Sequence, residues 1–124
     1  MHILVIGAGG MLGAKLLARL GKEGKLGGKA IARVTRYDAV IPPAPPASDY
    51  PVETFVGDLS AAGEPEKLIA GKPDVIFHLA AIVSGEAEKD FEKGYRINLD
   101  ATRILFEVIR KAGGGYKPKV IFTS

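Results

Sequence analysis

Apolar residues in this chain gather into short continuous runs, and the runs alternate with stretches of helical spacing. Ile3-Leu4-Val5-Ile6 is such a run, suited to a strand buried on both faces. Leu12, Leu16, Leu17 and Leu20 follow at helical spacing and predict a helix with those residues on one face. Further strands are predicted at Ala30 to Tyr37, Val52 to Val56, Asp74 to His78 and Lys119 to Phe122. A short helix is predicted over Glu64 to Ala70, with Pro65 in its first turn and Gly71 at its end. Phe91, Tyr95, Asn98, Leu99, Thr102, Leu105, Phe106, Ile109 and Ala112 mark one side of a long helix that Gly113-Gly114-Gly115 stops. Gly21 to Lys29 predicts a flexible loop. Ile41-Pro42-Pro43-Ala44-Pro45-Pro46 predicts a stiff extended one that cannot join a sheet. Strand patterning resumes directly after the prolines, which argues against an interdomain linker there.

Five strands separated by helices predict an α/β fold: a Rossmann doubly wound parallel sheet, covered on both faces, in the order 3-2-1-4-5. The chain stops as its fifth strand ends, at Thr123-Ser124, where such a sheet delivers residues to its ligand. We therefore expect residues 1–124 to be one domain, a fragment of a longer chain. With 124 residues, 47% hydrophobic and 25% charged, it is large enough for a real core. The formal charge of +3 is small and its lysines and arginines are scattered, so no nucleic-acid partner is expected. The absence of cysteine excludes a disulfide scaffold and a thiolate zinc site, and no ligand cluster predicts a metal. No apolar run approaches a membrane span, and none resembles a signal peptide. A cytoplasmic protein without a membrane partner is expected.

The chemistry concentrates at Gly7-Ala8-Gly9-Gly10-Met11-Leu12-Gly13, between the first strand and the first helix. A strand, a glycine turn and a helix N-terminus in that order form a dinucleotide phosphate site. Gly7 permits the tight turn, Gly10 lets a pyrophosphate approach the backbone, and Gly13 lets the helix lie close to the strand. The free N–H groups and positive dipole end of the helix then face the phosphates. Asp38 closes the second strand, where a carboxylate accepts the adenine-ribose hydroxyls and repels a 2′-phosphate, favouring NAD. Arg36 and Arg33 compete with that reading, since an arginine nearby can pair with a 2′-phosphate. Asp58 and Leu59 follow the third strand beside the expected adenine, and Asp58 also suits a helix cap. Leu79, Ala80 and Ala81 leave the fourth strand, where small residues let the backbone run close under a ribose and nicotinamide. His78 stands in an apolar run with no acid–base partner close in sequence, so it reads as a packed strand residue rather than a catalyst. Asn98 places an amide on the apolar side of the long helix, to be satisfied by strand ends or a bound cofactor. Ser84, Gly85, Glu86 and Glu88 lie in a loop that a substrate could reach, although the glutamates equally suit a solvated helix start. There is no triphosphate-binding loop at Gly28-Lys29 and no nucleophile elbow at Ser84.

Taken together, the glycine turn, Asp38, Gly57-Asp58-Leu59, His78-Leu79-Ala80-Ala81, Asn98-Leu99-Asp100-Ala101-Thr102 and Val120-Ile121-Phe122-Thr123-Ser124 resemble the first half of an extended short-chain dehydrogenase/reductase, of the NAD-dependent epimerase/dehydratase family. The run from Leu79 to Glu88, continuing to Gly94-Tyr95-Arg96, is similar to the sugar-acid branch typified by D-erythronate dehydrogenase. The resemblance implies that Gly7, Gly10, Met11, Leu12 and Gly13 hold the pyrophosphate of NAD and Asp38 the adenine ribose. It implies that Asp58 and Leu59 hold the adenine, while Leu79, Ala80, Ala81 and Asn98 line the ribose and nicotinamide side. It further implies a sugar-acid or nucleotide-sugar substrate and a homodimer at full length. The family's catalytic tyrosine is followed four positions later by a lysine. Here Tyr37, Tyr50, Tyr95 and Tyr116 are followed by Ile41, Thr54, Leu99 and Val120. The family's catalytic serine or threonine falls one residue beyond the position matching Ser124. No catalytic residue is therefore assigned, and the 124 residues alone are expected to be inactive. Two readings follow: the cofactor half of an NAD-dependent oxidoreductase or epimerase, or a non-catalytic NAD-binding sensor.

Overall fold

The computed structural model describes residues 1–79 and 91–122, the side chains of residues 91–99 excepted. Its main sheet has five parallel strands: β1 (His2–Ile6), β4 (Arg33–Asp38), β5 (Val52–Val56), β6 (Val75–His78) and β7 (Lys119–Phe122), in the spatial order β5-β4-β1-β6-β7. That is the predicted 3-2-1-4-5 order. The register aligns the carboxyl ends of the strands: Ile6 lies opposite Tyr37 and His78, Asp38 opposite Val56, and His78 opposite Phe122. Loops leaving those ends therefore gather on one rim.

Side chains alternate across the sheet, so the central strand β1 feeds two cores. Ile3 and Val5 pack with Val34, Val75 and Phe77 under Leu17 and Leu20 of helix α1 (Met11–Glu23). Leu4 and Ile6 pack on the other face with Ile76, Leu68 and Ile69 of helix α2 (Glu64–Ile69) and Leu105 of helix α3 (Phe91–Lys111). Both faces of β1 are closed, which is why its sequence is apolar without alternation. Burying a side chain such as Leu105 completely contributes about 2 kcal/mol. The sheet's margins are less covered than its centre. Ile121 and Phe122 on β7 and Val56 on β5 are exposed, and Phe106 of α3 reaches Phe122 at 5.5 Å between ring centroids.

Three local expectations need correction. Gly21 to Lys29 is not one flexible loop. Helix α1 runs through Gly21 to Glu23 and ends at Gly24, a left-handed cap whose N–H donates to the Leu20 carbonyl at 2.8 Å. Next comes an antiparallel hairpin, β2 (Lys25–Leu26) with β3 (Lys29–Ala30). Its two-residue turn is Gly27-Gly28, with φ of 57° and 80°, the paired positive angles that a primed hairpin turn requires. The second main strand accordingly begins at Arg33 and not at Ala30. Leu12 leaves the buried face of α1 and stands 53% exposed, because at the first helical turn that face already overhangs the sheet's rim.

The prolines keep Ala39 to Pro51 out of the sheet, as expected, yet the segment is anchored. Tyr50 is buried in the α1-side core, and the Ala47 carbonyl lies against Gly21, where a β-carbon would come within 2.6 Å of it. Gly21 inside the helix is thus the residue that lets this loop lie against α1.

Histidines occupy the two ends of the sheet's centre. At the amino end, His2 Nε2 meets Thr35 Oγ1 at 2.7 Å and Nδ1 faces the Gly71 carbonyl at 3.3 Å. At the carboxyl end, His78 Nε2 meets Thr102 Oγ1 at 2.9 Å, with the Phe122 ring 5.5 Å away. This makes His78 a packed residue of the α3-side face. Burial is the main cause that lowers both imidazoles below their ordinary pKa of 6.5, and for His2 the Gly71 hydrogen bond opposes it. As pH falls through 6.5 the unfolded chain takes up protons before the folded one. The stability of the neutral, packed histidines is therefore complete above that pH and is lost as the pH drops toward the folded values. The melting temperature of the intact protein should fall between about pH 7 and about pH 5. The double variant His2→Gln, His78→Gln should show a flatter profile, and an equal slope in both proteins would assign the acid loss to carboxylates instead.

Candidate functional site

The turn from β1 into α1 is held from the side by β4. The N–H groups of Gly7 and Ala8 both donate to the Tyr37 carbonyl, at 2.8 and 3.1 Å. Gly7 has φ of 87°, a conformation open to glycine and strained for other residues. Its carbonyl accepts from Gly10 N–H at 3.2 Å, closing the turn. Gly10 is the N-cap of α1, and no side chain caps the helix. The first-turn N–H groups of Met11, Leu12 and Gly13 precede the first intrahelical bond, from Ala14 N–H to the Gly10 carbonyl at 2.9 Å. Met11 is 77% exposed, so this helix end opens outward at the rim.

The two later glycines do different work. A β-carbon on Gly13 would stand 2.5 Å from the Gly7 carbonyl oxygen and 2.9 Å from Ala8 backbone atoms, so its hydrogen is required by the fold itself. A β-carbon on Gly10 would meet only the Gly7 carbonyl, at an ordinary 3.6 Å, and Gly10 has φ of −76°. The fold would accept a side chain at Gly10. Its absence leaves open the approach to the uncapped N–H groups, a cradle suited to a pyrophosphate.

Asp38 closes β4 beside this turn. Its Oδ2 accepts from Gly9 N–H at 2.7 Å and its Oδ1 from Ala39 N–H at 2.6 Å. A β-carbon on Gly9 would stand 2.8 Å from that Oδ2, so the third residue of the turn is kept bare by the carboxylate. The two arginines that compete in the sequence reading are occupied elsewhere. Arg33 begins β4 at the opposite rim and pairs with Glu53 at 3.0 Å. Arg36 is buried at 5% exposure, with Nε and one terminal nitrogen donating to Thr54 Oγ1 and the other donating to the Pro43 carbonyl at 2.6 Å.

Past β5, Asp58 Oδ1 accepts from the backbone N–H and the hydroxyl of Ser60 at 2.9 and 2.6 Å. These bonds, the hydroxyl first, hold its carboxyl below the ordinary carboxylate range. Asp58 thus folds its own turn rather than capping α2, whose N-cap is Gly63. Leu59 packs partly buried against the α2-side core. Leu79 leaves β6 with its N–H on the Ile6 carbonyl at 2.8 Å, next to the glycine turn, and is half-buried against the α1-side core. Ala80, Ala81 and the side chain of Asn98 lie outside the described residues, as do Ser84 to Glu88. The structure therefore brings Gly7, Gly10, Met11, Gly13 and Asp38 together at one rim, with Leu12 exposed beside them. Sequence reasoning missed the clamp between Arg36, Thr54 and Pro43. Its signal was a charged residue inside a strand whose neighbours are buried. Among the described residues no group of three or more metal-ligating side chains occurs, and no helix is long and apolar enough to cross a membrane.

Comparison with known proteins agrees with the fold. Residues 3–124 match a family described as the NAD dependent epimerase/dehydratase family. The whole chain is 41% identical to a D-erythronate dehydrogenase of Cupriavidus necator and 35% identical to one of Haemophilus influenzae, in each case covering 38% of the relative's length. It superposes with a TM-score of 0.91 and 60% identity on the crystal structure of a nucleoside-diphosphate-sugar epimerase from Agrobacterium tumefaciens, covering 100% of this chain and 37% of that one. The chain thus spans well under half the length of these relatives.

The contrast between the glycines sets a stability test. Gly13→Ala should cost about 1–3 kcal/mol, since backbone must move away from the new methyl group. Urea unfolding of the intact protein measures this, and an unchanged midpoint would mean that the turn gives way freely.

Proposed function

This chain belongs to the NAD-dependent epimerase/dehydratase family, and we propose that it is the cofactor-holding part of an oxidoreductase acting on a hydroxyl group of a sugar acid, as D-erythronate dehydrogenase does. The observation that carries the cofactor assignment is the uncapped, exposed start of α1 behind a glycine turn, with Asp38 hydrogen-bonded to the same turn. In this reading the N–H groups of Met11, Leu12 and Gly13 hold the pyrophosphate, and the bare face of Gly10 admits it. Asp38 turns to the adenine-ribose hydroxyls, Asp58 and Leu59 flank the adenine, and the segment from Leu79 to Ala81, with Asn98, lines the nicotinamide side. NAD, when bound, supplies the hydride acceptor. The sugar-acid substrate is supported by the identity to two D-erythronate dehydrogenases, and a nucleotide-sugar epimerase or dehydratase is the alternative within the family.

The proton from the substrate hydroxyl needs a base, and none of the four tyrosines here has a lysine four residues on. On the oxidoreductase reading that base is supplied from outside these 124 residues, and a chain of these residues alone should not turn over NAD. The same lack of a base is what a non-catalytic NAD-binding sensor would show. NAD reduction by the intact protein with D-erythronate and related sugar acids distinguishes the readings. Turnover is expected. Binding of NAD without turnover of any sugar acid or nucleotide sugar would favour the sensor.

Two binding measurements test the site itself. Gly10→Val should abolish NAD binding, because a branched side chain occupies the pyrophosphate approach, while stability stays within about 1 kcal/mol. Normal NAD binding by that variant would make the turn purely structural. Calorimetric titration should find NAD binding more tightly than NADP, since the Asp38 carboxylate faces the 2′-position and like charges repel in a partly desolvated site.

A further inference from the structure

Arg36 is a cation buried in a strand, and its partners among the described residues are neutral: the Thr54 hydroxyl and the Pro43 carbonyl. Burying a charge in this way is costly, and an apolar residue would cover β4 at lower cost. Its three hydrogen bonds join elements that no apolar side chain could tie. Thr54 stands directly opposite it on β5, and Pro43 belongs to the loop between β4 and β5.

That loop abuts the glycine turn. Pro42 Cβ lies 3.6 Å from where a β-carbon on Gly9 would stand, Ala47 rests on Gly21, and Tyr50 anchors the far end in the core. The loop's first residue, Ala39, donates its N–H to Asp38 Oδ1, while Gly9 N–H holds Oδ2. The direction of the Asp38 carboxylate is therefore set on one side by the turn and on the other by the loop. Alternation along β4 places Arg36 on the same face as Asp38. Released from Thr54 and Pro43, Arg36 would be a guanidinium next to the position of a 2′-phosphate.

Resting on the reading of this rim as the NAD site, we propose that Arg36 is a positioning residue for cofactor selection. By clamping the Pro42–Pro43 segment against the glycine turn it fixes Asp38 toward the ribose, and the same clamp withholds its own guanidinium from a 2′-phosphate. Discrimination against NADP then arises from a pair of groups on one strand face, one presented and one sequestered.

The test is the ratio of NAD to NADP dissociation constants in the intact protein, measured by calorimetry with melting temperatures recorded alongside. Thr54 is exposed on β5, so Thr54→Val removes the acceptor oxygen while keeping a β-branched residue suited to a strand. The preference for NAD should narrow by about tenfold, through weaker NAD binding and stronger NADP binding. Thr54→Ser, which keeps the hydroxyl, should restore the parental ratio. Arg36→Lys should also narrow it, because an ammonium cannot span Thr54 and Pro43 as a planar fork does. If Arg36→Lys fails to fold, the Thr54 pair decides alone. A parental ratio in folded Thr54→Val overturns the proposal and leaves Arg36 a strut of the core. A parent protein that binds neither dinucleotide overturns the site reading and this proposal together, whereas one that binds NAD with no preference over NADP overturns the selection role only.

Discussion

The Tyr37 carbonyl oxygen accepts the N–H groups of both Gly7 and Ala8, and the geometry of the rim follows from that junction. It pins the end of β1 to the end of β4 at the moment the chain reverses. With Gly7 in its positive-φ conformation, the carbonyl of Gly7 is turned back to meet Gly10 N–H. That closed turn aims α1 across the sheet so closely that Gly13 has room only for hydrogen. Asp38 is the next residue after the shared carbonyl, so the carboxylate and the helix end are held within one hydrogen-bonded unit. A displacement of either strand would move both halves of the candidate site together.

Covering the sheet is uneven, and the unevenness follows the chain's composition. The central strands β1, β4 and β6 are buried on both faces, but β5 reads Val-Glu-Thr-Phe-Val and is largely open. On the α1 side, helix α1 packs on Val34 of β4, whereas the neighbouring Arg36 is met by Pro43 of the loop. The proline-rich loop serves there, and it can lie flat because prolines have no N–H groups to leave unpaired over an apolar surface. Arg36 supplies the polar contact that a helix would otherwise make unnecessary. A loop that short of internal hydrogen bonds needs fixed points, and Arg36, Gly21 and Tyr50 supply them.

Much of this was legible in the residues. The apolar runs located all five main strands, and right-handed crossovers gave their order, because continuous burial and connection handedness leave few alternatives. The glycine turn and Asp38 were legible since each performs a backbone task in a fixed strand–turn–helix setting. The hairpin at Gly27-Gly28 escaped because two-residue strands carry too few side chains for alternation to be seen, although the paired glycines between Leu26 and Lys29 are the hairpin's own signature. Leu12 was misplaced because periodicity cannot tell where a helix leaves the sheet beneath it. Arg36 was weighed only as a rival to Asp38 for a 2′-phosphate. Its type suits that role, and only the fold shows that Thr54 faces it across the strand pair and that Pro43 returns over it.

The places where α1 departs from an ideal helix are the places where a ligand is needed. A serine or asparagine at the N-cap would satisfy a first-turn N–H, whereas Gly10 satisfies none, and the first two helical residues are exposed hydrophobics. The first turn holds no acidic side chain to answer the dipole. Each departure costs a few tenths of a kcal/mol or so, and nothing within the described fold recovers it. Gly13 and Gly24 show that the same helix follows packing and capping rules strictly wherever only the protein is concerned. The deficit is confined to one turn, and what it lacks is a negatively charged group with several hydrogen-bond acceptors, placed against a bare backbone. A pyrophosphate is such a group, and the carboxylate of Asp38 beside it leaves a hydroxyl-bearing sugar as the natural next part of the same ligand.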